Sequence, residues 1–95
     1  MTNWQTQALT IPANHPSAAG HFPGNPIIAG ALLLDAALDA MGVTGGAVIR
    51  GAKFLRPVRP GTALELRWQP AGEKLLRFEY LAAGELAASG TVALA

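Results

Sequence analysis

The chain has 95 residues, 51% of them hydrophobic and only 14% charged, with a formal net charge of +1 and no cysteine. A disordered chain needs the opposite balance of few apolar and many charged residues, and without cysteine there is no disulfide framework, thiol catalysis or cysteine-based metal site. So small a net charge offers no general attraction to nucleic acid or an anionic membrane, while the scarcity of charge leaves apolar surface uncovered and points to self-association.

The length fits one domain over residues 1–95. Met1 to Thr10 has no basic region followed by an apolar run, so it does not read as a secretory signal. A short strand is predicted around Gln5–Ile11, ended by Pro12. Asn14 to Pro26 is rich in turn residues and holds both histidines, His15 and His21. One helix follows, about Gly30–Met41, in which Leu32, Leu33, Leu34, Ala36, Ala37 and Leu38 are apolar almost all round, the mark of a buried helix. Gly42 and the Gly45-Gly46 pair stop it. The apolar stretch Pro26 to Val43 is barely long enough to cross a bilayer. Asp35 and Asp39 would each cost about 2.5–3.5 kcal/mol at its centre, so no membrane insertion is expected and the chain is expected to be cytoplasmic.

The remainder alternates in the manner of strands. Val48, Ala52 and Phe54 are predicted to share a side. Leu64, Leu66 and Trp68 face away from Glu65, Arg67 and Gln69, and Leu76, Phe78 and Tyr80 alternate with Arg77 and Glu79. Leu86, Ala88, Val92 and Leu94 complete the set, with turns at Pro57 to Gly61 and Pro70 to Gly72. One buried helix followed by antiparallel strands is an α+β layout, a sheet wrapped on a single helix.

The chemistry concentrates between Asn14 and Asp39. His21 lies in a Gly-His-Phe-Pro-Gly turn, and Asp35 sits midway along the most apolar helix, where a carboxylate costs free energy unless it is paired, hydrogen-bonded or protonated. The alternative is a plain solvent-facing residue, with Asp39 one turn later extending the same face. A neutral imidazole accepts a proton, and a carboxyl desolvated on such a helix can donate one. Gly30 opens the helix, so its backbone N–H is a donor at the positive end of the helix dipole. A base, an acid and an oxyanion donor suit removal of a proton alpha to a carbonyl with departure of a beta hydroxyl. The two histidines and six acidic residues offer little to a metal cluster, no segment fits a phosphate-binding glycine loop, and no aromatic–basic patch fits nucleic acid.

The string from His21 through Phe22-Pro23-Gly24-Asn25-Pro26 and on to Gly30 and Asp35 resembles the signature of the 3-hydroxyacyl-(acyl-carrier-protein) dehydratases, the FabA/FabZ family. Asn14, Pro16 and Gly20 upstream fit the same pattern, as does the downstream block Lys53-Phe54-x-Arg56-Pro57-Val58-x-Pro60-Gly61. The resemblance implies a hot-dog fold, an antiparallel sheet around one long helix, assembled as a homodimer or a higher oligomer. It implies His21 as the base, Asp35 as the acid serving the leaving hydroxyl, and a site drawing on both subunits. It places the thioester carbonyl on the Gly30 N–H, with Gly24 shaping the turn and Ala31 lining the pocket. The acyl chain would lie in a tunnel lined by Phe22, Ile28 and Leu34. No metal and no redox cofactor is implied. Where the family usually has Pro-Gly before the helix this chain has Ala29-Gly30, and Asp39 replaces a common glutamine.

Lys53, Arg56 and Arg59 cluster near the second block, a positive rim suited to an acidic acyl carrier protein. The expected activity is thus a dehydratase yielding the trans-2-enoyl thioester from a 3-hydroxyacyl thioester on acyl carrier protein. Two alternatives use the same fold: an acyl thioesterase in which Asp35 activates water, and a non-catalytic acyl-binding subunit that complements an active partner.

Overall fold

The computed structural model describes residues 4–11, 28, 30–43 and 45–94. It comprises β1 (Gln5–Thr10), α1 (Gly30–Ala40), β2 (Val48–Phe54), β3 (Ala63–Gly72), β4 (Leu75–Ala82) and β5 (Glu85–Ala93). The five strands form one sheet in the order β1-β3-β4-β5-β2, all neighbours antiparallel. The predicted α+β layout is therefore present, and the predicted turn segment Asn14 to Pro26 falls outside the described residues.

Alternation explains which face of the sheet meets the helix. Leu64 and Leu66 of β3, Phe78 and Tyr80 of β4, and Ala88 and Val92 of β5 are buried together with Leu33 and Ala37 of α1. Gly90 lies on the same face beneath the Phe78 ring: a Cβ there would come within 2.6 Å of Phe78 Cζ and 2.8 Å of the Gly51 carbonyl oxygen, so the ring takes space that only glycine leaves. The opposite face is polar. Arg67 and Glu79 are cross-strand partners on it, with Arg67 Nε donating to Glu79 Oε1 at 2.7 Å and the Arg67 guanidinium 4.8 Å from the Trp4 ring centroid.

The helix is capped at its C-terminus and tied to the sheet near its start. Gly42, with φ of 73°, donates its N–H to the Asp39 carbonyl at 3.1 Å, and Val43 donates to that of Leu38 at 3.0 Å, the paired bonds of a Schellman cap. Near the start, the buried Tyr80 hydroxyl donates to the Leu33 carbonyl at 2.8 Å and ties α1 to β4. No helix among the described residues is long and apolar enough to cross a membrane, a finding that leaves β-barrels aside.

Three local expectations are corrected. Val48 does not share a side with Ala52 and Phe54: a register shift between Ile49 and Gly51 reverses the alternation, so Ile49 packs on the core and Val48 is 56% exposed. Pro70 and Gly72 belong to β3 rather than to the turn, which falls at Glu73-Lys74. Among the described residues the pairing of β1 with β3 stops at Trp68, so Pro70 is hydrogen-bonded to a described strand on one side only, where proline is tolerated. The helix is not buried all round either, since only Leu33 and Ala37 are fully covered.

Candidate active site

The N-terminus of α1 meets the strand end of β2 and the segment after it. Ile28, just before the helix, donates its N–H to the Val58 carbonyl at 2.7 Å. On the other side, the N–H groups of Leu55 and Arg56 both point at the Ala87 carbonyl, at 2.8 and 3.2 Å. Ala87 is left unmatched where the β4–β5 register shifts, which frees its carbonyl for this purpose. The helix start and residues 54–58 are thus held against the same sheet, and between them lies an apolar cavity of about 320 Å³. Ile28, Gly30 and Leu33 line it from the helix side, and Phe54 through Val58 from the other.

Gly30 is the first residue of α1, so its N–H belongs to the opening turn whose amides have no partner within the helix. Its Cα is covered by an aromatic ring: a Cβ on Gly30 would lie 2.8 Å from Phe54 Cζ and 3.0 Å from Cε2. Phe54 was not singled out from the sequence as a site residue. Its signal was its place in the Lys53-Phe54-x-Arg56-Pro57-Val58 block, whose positions Phe54, Arg56, Pro57 and Val58 all line this cavity.

Ile28 is buried and lines the cavity, and Leu34 is half-buried against the core rather than among the cavity residues. Ala31, Asp35 and Asp39, spaced four apart, form one exposed stripe on α1. The expectation that apolar neighbours would cover Asp35 is not met within the single chain, because the sheet covers only the Leu33–Ala37 side. His21, Phe22 and Gly24 lie outside the described residues. Lys53, Arg56 and Arg59 are all exposed but differ in setting: Lys53 pairs with Ser89 on the polar face of the sheet, whereas Arg56 stands at the cavity and forms an ion pair with Glu85 at 2.8 Å.

Solved proteins share this architecture, which is the hot-dog fold. The structure described as the dehydratase heterocomplex ApeI:P from Xenorhabdus doucetiae superposes with a TM-score of 0.80 at 26% identity, covering 96% of this chain and 86% of that one. An uncharacterised protein from Erwinia carotovora subsp. atroseptica gives 0.79 at 28% identity, covering 97% and 82%. A probable thioesterase from Bartonella henselae gives 0.65 at 15% identity, covering 99% and 91%, a likeness of fold alone. The chain belongs to the ApeI-like family, described as ApeI dehydratase, whose model matches residues 2–91. It is also 39% identical over 84 residues to the 3-hydroxyacyl-(acyl-carrier-protein) dehydratase FabZ of Haemophilus influenzae (strain PittEE), covering 75% of this chain and 57% of that protein. The chain therefore spans somewhat over half the length of such curated relatives.

Proposed function

We propose that this chain is a lyase that removes water from a 3-hydroxyacyl thioester carried on an acyl carrier protein, giving the trans-2-enoyl thioester. The observation that carries the proposal is the match to the dehydratase family over residues 2–91, with Gly30 at the start of α1 opening on an apolar cavity. The Gly30 N–H holds the thioester carbonyl oxygen, where negative charge grows as the alpha proton leaves. His21 takes that proton. The electrons of the broken C–H bond form the alpha–beta double bond and expel the beta hydroxyl, which takes a proton from Asp35 and departs as water. Return of the proton from His21 to Asp35 through solvent restores the starting state.

Two features support a subunit partner. β2 lies at the edge of the sheet, with Val48, Phe54 and the following Leu55 exposed, and an uncovered strand edge pairs readily with another chain. The exposed Ala31–Asp35–Asp39 stripe is what a second helix would cover, so Asp35 becomes enclosed on assembly. A second copy of this chain is the simplest partner. A different chain is the other reading, supported by the description of the ApeI:P structure as a dehydratase heterocomplex.

Hydration of crotonyl thioester tests the reaction. His21→Ala and Asp35→Asn are each expected to lose about 10²–10⁴-fold in rate, the usual worth of a positioned acid or base. Undiminished hydration in both variants would contradict the proposal, and release of free thiol without enoyl turnover would favour a thioesterase.

A further inference from the structure

We propose that Phe54 determines which acyl groups enter the site, its ring forming the wall that limits the cavity beside Gly30. The reaction and the position of the thioester rest on the dehydratase reading above, but the role of the ring as a wall rests on its own geometry.

Phe54 is 50% exposed and takes no part in the hydrophobic core. Core packing does not account for this side chain, whose same-face neighbour Ala52 and cross-strand partner Ala88 are both small. A subunit on the β2 edge would cover its outer side but leave its contact with the helix start unexplained. What it does contact is specific. Its far edge occupies the place of a Gly30 side chain, with Cζ, Cε2 and Cε1 at 2.8, 3.0 and 3.2 Å from where a Cβ would stand. The backbone beneath the ring is fixed, because Phe54 is paired with Ala88 and the next two amides are tied to Ala87. The ring is therefore a firmly based wedge between the helix start and the apolar cavity of about 320 Å³ that both residues line.

A thioester carbonyl on the Gly30 amide puts its alpha and beta carbons next to this ring, and the rest of the acyl group must run past it into space bounded by Ile28, Leu33 and Val58. Trimming the ring joins its volume to the cavity. Long acyl groups then gain apolar contact, while short ones lose the surface that packed against them. A single methylene in an apolar pocket changes discrimination by about tenfold or more, so a whole phenyl group is ample to reorder preference.

The test compares binding of butyryl-pantetheine and decanoyl-pantetheine to the wild-type chain, Phe54→Leu and Phe54→Ala. These saturated thioesters lack the beta hydroxyl, so they report selection without turnover. The ratio of the two dissociation constants should move toward the decanoyl compound by about tenfold in Phe54→Ala, and less in Phe54→Leu. An unchanged ratio in both variants, or failure of the wild type to bind either compound, overturns the inference. Loss of crotonyl hydration with selective binding intact would instead sink the catalytic reading alone. The contact itself has a separate readout in thermal denaturation. Gly30→Ala should lower the melting temperature when Phe54 is present and leave it unchanged or raised in the Phe54→Ala background, and the same loss in both backgrounds would contradict the wedge.

Discussion

Tyr80, the only tyrosine in the chain, shows how one side chain connects the core to the site. Its ring meets Phe78 edge to face, at 6.4 Å between centroids and 83° between planes, while its hydroxyl reaches a carbonyl in the second turn of α1. The helix that presents Gly30 is thereby positioned against the sheet by a buried hydrogen bond. Tyr80→Phe should cost about 1–2 kcal/mol in denaturant unfolding, because the bond is lost and the Leu33 carbonyl keeps only its helical partner. Burial also pushes the Tyr80 phenol well above the usual tyrosine value. A raised acid stabilises the fold through its bound proton. That contribution is complete below about pH 10, where tyrosine in an unfolded chain begins to ionise, and is lost as the pH climbs toward the folded value. The wild type should therefore lose stability above about pH 10 more steeply than Tyr80→Phe, and equal slopes would contradict the role given to the buried phenol.

The hairpins and bulges decide where side chains point at the scale of elements. β4 and β5 are joined by Ala83 and Gly84, both at positive φ (53° and 79°), the two-residue turn that suits a twisted hairpin. Alanine is a poor occupant of that conformation, so Ala83→Asn should stabilise the chain by about 0.5–1 kcal/mol, and a lower unfolding midpoint would refute this account of the turn. Much of this level was legible in the sequence. The alternation of Leu64, Leu66 and Trp68 against Glu65, Arg67 and Gln69 has the facing it predicts, and Gly42 closes the helix as expected. What escaped were the places where the backbone breaks period. The bulge at Ile49 to Gly51 turns Val48 outward, and its one signal is Gly51, an isolated glycine inside a strand pattern, which does not say which side of it changes facing. The sequence leaves the exposure of Asp35 open for a related reason: the composition of α1 reports how apolar the helix is, not which side the sheet covers. The Phe54–Gly30 contact joins residues from different elements, and a motif shows that both are present without showing that they touch.

The apolar, charge-poor composition acquires two destinations at the scale of the whole molecule. One is the cavity at the start of α1, and the other is the uncovered surface made by the β2 edge and the helix stripe that carries Asp35. Under the proposed function these belong together, because the subunit that covers the stripe also supplies His21 to the Asp35 of its neighbour. Association and catalysis then depend on each other. Coexpression of His21→Ala with Asp35→Asn tests this most directly. Each variant alone is expected to be inactive, but in a mixed dimer one of the two sites receives an intact His21 and an intact Asp35. With random pairing, crotonyl hydration should return to about a quarter of the wild-type rate, as two-fold symmetry requires. A mixture as inactive as its parents, with mixed dimers shown to form, would contradict a site shared between subunits.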